Sequence, residues 1–242
     1  MRVTRVYVGS PLSAGRRQQV EGSAANHIAR VLRLAAGDRL TLFDGRGGEY
    51  AGAIQEIGRD FVSIDVREHH PLERESPVQL ILAQGISRGE RMDWVVQKAT
   101  ELGVFRIVPL LTERSVVQLD ARQAQKKLQH WRAIAIAACE QSGRTRVPEI
   151  VEPLSLGSFL RSADQGSRLL LWPGAERGLG ELASPGQSLT VLIGPEGGLG
   201  SEERNAAQAA GFLPVRLGPR VLRTETAAVT ALAVLQQRFG DL

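Results

Sequence analysis

The apolar residues follow two different patterns along the chain. From Arg2 to about Arg67, short apolar runs are separated by Gly, Asp and Arg, and the pairs Asp44-Gly45 and Gly47-Gly48 between runs are typical of hairpin turns. With one helical stretch around Asn26 to Leu34, this pattern predicts a small β-barrel. The polar segment His69 to Pro77 predicts a linker between two domains.

After this linker, strands and helices alternate. Near-continuous apolar runs predict strands buried on both faces, and apolar residues at helical spacing predict the helices between them. The predicted strands are Val78–Ile86, Phe105–Leu111, Ser167–Trp172, Ser188–Gly194 and Leu213–Leu217. The predicted helices are Met92–Leu102, Gln123–Cys139, Ser201–Ala210 and Glu225–Phe239, with Ser201 and Thr224 as N-caps. This order predicts an α/β domain with a mostly parallel sheet.

Composition adds little to this picture but excludes some chemistry. The 242 residues carry a net charge of +4, which is compatible with a polyanionic partner, and one cysteine, Cys139, in an apolar stretch. The start MRVTRVYVGS has no apolar signal core and no run has membrane length, so we expect a cytoplasmic protein. The histidines His27, His69, His70 and His130 show no ligand spacing, so we expect no metal.

The first stretch that indicates chemistry is Leu192–Ser201, LIGPEGGLGS. A strand, a glycine-rich turn and a helix in that order are typical of a ligand-binding loop at the carboxyl end of a sheet. The loop lacks the Gly-Lys-Ser/Thr of a phosphate loop and the glycine spacing of a dinucleotide fingerprint. Glu196 would repel a phosphate, so a ligand with a positive centre, such as S-adenosylmethionine, fits better. A plain tight turn explains this loop alone equally well.

Three further stretches hold polar residues beside predicted helix ends. They are Leu217–Thr226 with Arg220 and Arg223, Arg88–Gly103 with Gln97, Lys98 and Glu101, and Glu140–Arg146 with two arginines. Each could equally be a solvated loop or helix face. The helix after Thr224 has small or apolar residues around most of its circumference, so it must be buried within the fold or against a partner.

Taken together, these stretches resemble one family. QKATELGV, TERSVV, EQSGRTRVPEI, IGPEGG and LGPRVLRTETA, in this order, resemble the bacterial small-subunit (16S) ribosomal RNA uridine-N3 methyltransferases of the SPOUT superfamily. The segment HIARVLRLAAGDRLTLFDGRGGEYAGAI is similar to their PUA-like RNA-binding domain. The resemblance implies an α/β fold in which a PUA-like β-barrel, residues 1–72, precedes a trefoil-knotted methyltransferase domain, residues 73–242.

The resemblance also implies a cofactor, a partner and a set of site residues. S-adenosyl-L-methionine would lie in the knot at the interface of a homodimer, and no metal would take part. Backbone groups at Gly194, Leu217 and Leu222 would hold its adenine. The implied donor pocket comprises Leu171, Gly194, Glu196, Gly197, Leu217, Gly218, Arg220, Leu222 and Arg223.

Methyl transfer to uracil N3 requires the loss of the N3 proton. A cation near the uracil carbonyls would stabilise the anion, and Arg88, Lys98 and Arg223 are candidates. Glu101 or Glu225 could accept the proton. The substrate would be small-subunit RNA, on the assembled subunit. Candidate phosphate contacts are Arg16, Arg17, Arg30, Arg33, Arg46, Arg114, Arg144 and Arg146.

Two other functions compete with this one. A non-catalytic RNA-binding factor in ribosome assembly would have the same fold but would not bind the methyl donor. A methyltransferase for ribose 2′-oxygen or guanine would have the same donor pocket, and only the family resemblance separates it from a uridine-N3 enzyme.

Overall fold

A computed structural model describes residues 4–115, 119–162, 166–182, 184 and 186–242. The contacts divide the chain into two compact units. The first unit takes in the residues up to Glu75 together with Cys139–Val147, and the second takes in Ser76–Ala138 and Pro148–Leu242.

The first unit is built on a five-stranded sheet. Its strands are β1 (Arg5–Tyr7), β2 (Arg17–Glu21), β3 (Arg39–Phe43), β4 (Glu49–Ile57) and β5 (Phe61–His70), in the order β1-β3-β4-β5-β2. The pair β1–β3 is parallel and the others are antiparallel. The predicted hairpin turn joins β3 to β4, where Gly45, Gly47 and Gly48 all have positive φ. Buried apolar residues such as Leu40, Leu42 and Ile64 form the core.

Two details of this unit differ from the sequence prediction. The helical stretch begins earlier, with α1 (Gly22–Asn26), and continues as one π-helical turn, His27–Val31. The assignment of His69 and His70 to a linker is wrong, because both residues extend β5 and pair with Tyr50 and Glu49 of β4. The irregular segment therefore begins at Pro71.

The second unit is an α/β domain with a parallel sheet, as predicted. Its strands are β6 (Gln79–Gly85), β7 (Arg106–Leu111), β8 (Glu149–Ile150), β9 (Leu154–Ser155), β10 (Ser167–Leu171), β11 (Ser188–Ile193) and β12 (Leu213–Val215). The sheet order is β12-β10-β11-β6-β7-β8, and β9 also pairs with β7. All these pairs are parallel, and all five predicted strands are confirmed.

Helices cover this sheet. They are α2 (Arg91–Glu101), α3 (Ala121–Ser142, whose last residues belong to the first unit), α4 (Leu156–Ser162), α5 (Ser201–Ala209) and α6 (Thr224–Phe239), with a short 3₁₀ turn at Leu179–Glu181. No helix in the described part of the chain combines the length and apolarity that a membrane crossing needs.

Both predicted N-caps are one residue too late. Gly200 is the N-cap of α5, and its N–H donates to the Glu203 carboxylate at 2.9 Å. Arg223 is the N-cap of α6. Ser201 and Thr224 are already helical, and the Thr224 hydroxyl donates to the Gly194 carbonyl at 2.7 Å. The threonine hydroxyl thus joins two loops rather than capping its own helix.

The prediction that the last helix must be buried is confirmed within the second unit. Ala228, Ala231, Leu232 and Leu235 of α6 are fully buried. Gln236, also buried, accepts a hydrogen bond from the Ser76 hydroxyl and donates one to the Leu102 carbonyl, both at 2.7 Å. These contacts fix α6 beside α2, so that its amino end lies at the carboxyl ends of the central strands.

Candidate functional site

A cavity of about 710 Å³ lies at the carboxyl ends of β10, β11 and β12. Its walls include the segments that follow these three strands and the first turn of α6, and single residues of α2, of α5 and of the segment after β7 also line it. Cofactor pockets typically measure about 300–1,000 Å³, and in parallel α/β sheets they lie at this edge. Position and size both indicate a small-molecule site.

The cavity brings together every residue of the implied donor pocket. Among the described residues that line it are Leu171, Gly194, Glu196, Gly197, Leu217, Gly218, Arg220, Leu222 and Arg223. Trp172, Arg204 and Arg91 also line it, although the sequence did not predict them as site residues. Trp172 is the last residue of a predicted strand, and Arg91 lies one residue before a predicted helix. Because ligands bind where strands end and helices begin in such sheets, both positions could have been predicted.

Glycines allow the loop after β11 to fold tightly. A Cβ on Gly194 would lie 2.8 Å from the carbonyl carbon of Gly198 and 2.9 Å from the Leu199 nitrogen. A Cβ on Gly85, at the end of the neighbouring strand, would lie 2.5 Å from the backbone nitrogen of Pro195. Real side chains essentially never approach backbone so closely. The loop therefore needs glycine at both positions to keep its shape.

A buried polar network ties this loop to α6 and β6. Gln84 is fully buried, and its Nε2 donates to the Thr224 hydroxyl at 3.0 Å. The Thr224 hydroxyl donates in turn to the Gly194 carbonyl. Buried polar groups are costly unless they are hydrogen-bonded, so these bonds favour one arrangement of the loops. The Oε1 atom of Gln84 has no hydrogen-bond partner among the described residues. The network fixes the floor of the cavity.

Glu196 projects from the glycine-rich loop into an ion pair. Its Oε1 accepts hydrogen bonds from Arg91 Nη1 at 2.6 Å and from the Arg88 N–H at 3.0 Å. Partial burial raises the pKa of this carboxyl, but the hydrogen bonds from its own N–H, from Arg88 and from Arg91, and the Arg91 charge, outweigh burial and hold the pKa below its usual value. The pair therefore persists at neutral pH and is lost only as the pH falls through that lowered value.

Arginine dominates the charge of the cavity. Among the described residues, five arginines and two glutamates line it: Arg91, Arg114, Arg204, Arg220, Arg223, Glu196 and Glu225. Arg114 donates to the Gly197 carbonyl at 3.1 Å, and Arg204 lies 5.1 Å from the centre of the Trp172 ring. Arg220 and Arg223 are exposed, and their guanidinium groups have no ion-pair or hydrogen-bond partner within the described part of the chain. These two cations are available to an anionic group on a ligand.

The five candidate catalytic residues do not all lie together. Arg223 and Glu225 both line the cavity, and the Arg88 N–H donates to Glu196, which also lines it. Lys98 and Glu101 pair with each other on α2 at 2.8 Å, and neither is among the described residues that line the cavity. The structure thus gives Arg223 and Glu225 the better position, while all five roles stay predictions.

The candidate RNA contacts fall into two groups. The first group is exposed and comprises Arg16, Arg17, Arg30, Arg33, Arg46, Arg114 and Arg146. Two of its members form ion pairs, Arg17 with Asp65 at 3.0 Å and Arg146 with Glu73 at 3.2 Å. Arg144 is buried and forms a bidentate pair with Glu75. Contact between Arg144 and a phosphate would require that pair to open.

The remaining candidate chemistry finds no support in the described residues. Cys139 is buried, and desolvation raises the pKa of its thiol to about 12, so it is protonated at neutral pH and a poor nucleophile. Within the described ranges, no three His, Cys, Asp or Glu side chains cluster as metal ligands would. Val116 and Val117 of the TERSVV segment lie outside the described residues.

Comparisons with known proteins agree on one family. The RNA methyltransferase domain family matches residues 74–236, and the RNA methyltransferase PUA domain family matches residues 20–67. The ribosomal RNA small subunit methyltransferase E of Buchnera aphidicola is 34% identical over 100% of this chain and 98% of its own length. Its namesake from Bacillus subtilis is 33% identical over 89% of this chain and 88% of its own length.

Solved structures lead to the same result. The ribosomal RNA small subunit methyltransferase E of Neisseria gonorrhoeae, solved with S-adenosylmethionine, has a TM-score of 0.93 and 34% identity over the full length of both chains. A Legionella pneumophila protein described as a methyltransferase, solved with the same cofactor, has a TM-score of 0.95 and 42% identity over both full chains. The predicted fold class, a SPOUT methyltransferase domain preceded by a PUA-like domain, is confirmed. The chain belongs to the RNA methyltransferase family and, within it, to the ribosomal RNA small subunit methyltransferase E proteins.

Proposed function

We propose that this chain methylates N3 of a uridine in small-subunit (16S) ribosomal RNA, with S-adenosyl-L-methionine as the methyl donor. The observation that supports the proposal is the cavity at the carboxyl ends of β10, β11 and β12. It is lined by Arg223, Glu225 and the glycine-rich loop after β11, which we call the donor loop. The same donor is bound in the solved relatives from Legionella pneumophila and Neisseria gonorrhoeae.

The residues of the cavity fit this donor. Apolar side chains such as Leu171, Leu217 and Leu222 suit an adenine ring, and the backbone of the glycine-rich loop can approach it closely. The free arginines suit the carboxylate of an amino-acid tail. S-adenosylmethionine, when bound, supplies a methyl group activated by its sulfonium centre.

The protein's own residues then handle the substrate's proton and charge. Uracil N3 carries a proton at neutral pH, and we assign its removal to Glu225, whose Oε2 is buried without a hydrogen-bond partner among the described residues. The guanidinium of Arg223 stabilises the negative charge that develops on the uracil carbonyls, as donors in an oxyanion hole do. No metal is needed for either task.

We propose further that residues 1–72 bind RNA, that residues 73–242 carry out the chemistry, and that the protein acts as a homodimer in the cytoplasm on the assembled small subunit. The dimer is supported by Val221, which is 79% exposed beside the cavity, and by Trp94, which is 41% exposed on α2. The RNA role is supported by the exposed arginines of the first unit and by the PUA family match.

The function is tested on small subunits from a strain that lacks the modification. Purified protein and labelled S-adenosylmethionine are incubated with the subunits or with naked RNA, and the digested nucleosides are identified by mass spectrometry. We expect 3-methyluridine from the assembled subunits. A ribose-methylated nucleoside or a methylguanosine would show that uridine N3 is not the target atom. The absence of methyl transfer to either RNA would favour a non-catalytic assembly factor.

The RNA role predicts a specific change in salt dependence. Arg30 and Arg33 are exposed in the first unit, and Arg33 has a positive φ of +53°. The double variant Arg30→Ala/Arg33→Asn removes both charges, and asparagine is chosen at position 33 because it tolerates positive φ. We expect weaker RNA binding and a salt-dependence slope reduced by about 1.4 to 1.8, since each phosphate contact contributes about 0.7 to 0.9. Donor affinity should not change.

The control for this variant is Arg59→Ala, an exposed arginine in the turn between β4 and β5 of the same unit. RNA binding is measured by fluorescence anisotropy across a salt series, and donor binding by calorimetry. An unchanged slope in the double variant would contradict the RNA role of these two arginines.

A further inference from the structure

One arginine pairs with both carboxylates of the cavity. Arg91 is the first residue of α2, and its Nη1 lies 2.6 Å from Glu196 Oε1, while its Nε lies 3.9 Å from Glu225 Oε1. The two glutamates come from different elements, the loop after β11 and the first turn of α6. Arg91 therefore joins the donor loop to the helix that carries the proposed proton acceptor.

No second cation shares this task within the described part of the chain. Arg91 is the only basic side chain there that forms an ion pair with either Glu196 or Glu225. The other charged groups that line the cavity are Arg114, Arg204, Arg220 and Arg223. Without Arg91, the two carboxylates would share the cavity with no ion-pair partner, and Glu196 would keep only hydrogen bonds from backbone N–H groups.

The pairing leaves one carboxylate oxygen of Glu225 unused. Arg91 approaches Oε1, whereas Oε2 is buried and has no hydrogen-bond partner among the described residues. A buried acceptor without a partner is costly, and Glu225 lines the cavity, so a ligand donor that reached Oε2 would remove this cost. The N3–H group of uracil is a donor of the right kind.

We propose that Arg91 is a positioning residue, which holds Glu225 so that its free oxygen faces the uracil N3–H and, through Glu196, holds the donor loop closed. This inference rests on the proposed function. The N3–H bond breaks and its proton passes to Glu225 Oε2, while the electron pair on N3 forms the new bond to the methyl carbon. The methyl–sulfur bond of the donor would break with its electron pair left on sulfur, so that S-adenosylhomocysteine would be the leaving group. Arg91 itself neither gains nor loses a proton. It acts through the two glutamates and touches neither reacting atom.

The test compares Arg91→Ala and Arg91→Met with Arg91→Lys. Turnover at saturating donor and RNA reports on Glu225, and calorimetric titration with S-adenosylmethionine reports on the loop. We expect Ala and Met to lower turnover about 10- to 100-fold, a typical cost of misplacing a catalytic group, and to weaken donor binding. Lysine keeps the charge near both carboxylates and should restore most of both quantities.

A double-substitution cycle separates positioning from general damage. If Arg91 acts on turnover through Glu225, the variant Arg91→Ala/Glu225→Gln should turn over no more slowly than Glu225→Gln alone. Arg106→Ala is the matched control, because Arg106 forms a 2.6 Å pair with Glu149 on strands away from the cavity, and it should behave as wild type. Thermal melting shows whether each variant is folded. If Arg91→Ala is unfolded, Arg91→Met takes its place in the cycle.

The outcomes distinguish this inference from the proposed function. Multiplicative losses in the double variant, or wild-type turnover and donor affinity in Arg91→Met, would overturn the positioning role while the wild-type enzyme still makes 3-methyluridine. A wild-type protein that makes no 3-methyluridine would overturn the function itself.

Discussion

Replacing Glu225 with glutamine is expected to lower the turnover number about 100- to 10,000-fold, the usual contribution of a general base. Glutamine keeps the shape of the side chain but cannot take the N3 proton. Glu225 also lies in the first turn of α6, where losing its charge costs only about 0.3–1 kcal/mol of stability. The loss should therefore appear in turnover at saturating donor and RNA, whereas donor affinity should change less than about threefold.

The matched control is Glu202→Gln in the first turn of α5. Glu202 is exposed and is not among the described residues that line the cavity, so this substitution removes the same kind of helix charge without touching the site. Single-turnover assays with labelled donor measure both variants. Wild-type turnover in Glu225→Gln would exclude Glu225 as the proton acceptor and return that role to Glu101.

Replacing Gly194 with alanine is expected to weaken S-adenosylmethionine binding at least about 100-fold, because a 1 Å displacement of a binding loop can cost that much. The new Cβ would lie 2.8–3.0 Å from backbone atoms of Gly198 and Leu199, which cannot rotate away as a side chain could. The backbone of the loop must therefore shift. We also expect a loss of about 1–3 kcal/mol in the free energy of unfolding, as for other overpacked sites.

Gly180→Ala provides the control for steric damage. A Cβ at Gly180 meets no atom within 4 Å, and its backbone needs no positive φ, so the methyl group should be accommodated. Calorimetry measures donor affinity and thermal melting measures stability for both variants. Wild-type affinity in a folded Gly194→Ala variant would show that the loop does not bind the donor.

The fold could be predicted from the sequence because its signals are local. Runs such as Val78–Ile86 and Ser188–Gly194 are mostly apolar, which is typical of strands covered on both faces. The first and last residues of each helix and strand were less predictable, because contacts with distant parts of the same chain decide them. Thr224 satisfies the N-cap pattern but hydrogen-bonds to Gly194, and His69 lies in a polar segment but pairs with Tyr50 of β4. In both cases a long-range contact overrode a local preference.

The sequence by itself determined which residues could form the donor loop. The glycines and the Glu196 carboxylate stand within ten consecutive residues, so their spacing alone was informative. The tertiary structure decided which distant residues reach that loop. Lys98 and Glu101 looked as suitable as Arg223 and Glu225, yet their i,i+3 spacing on α2 pairs them with each other instead.

Arg91 shows the same limit most clearly. It lies over 100 positions from Glu196 and from Glu225, and no local pattern links these three side chains. Only the parallel order of β6 and β11, and the packing of α6 beside α2, bring them to one edge of the sheet. An ion pair depends on the distance between charges in space, which hydrophobic periodicity along the chain does not specify.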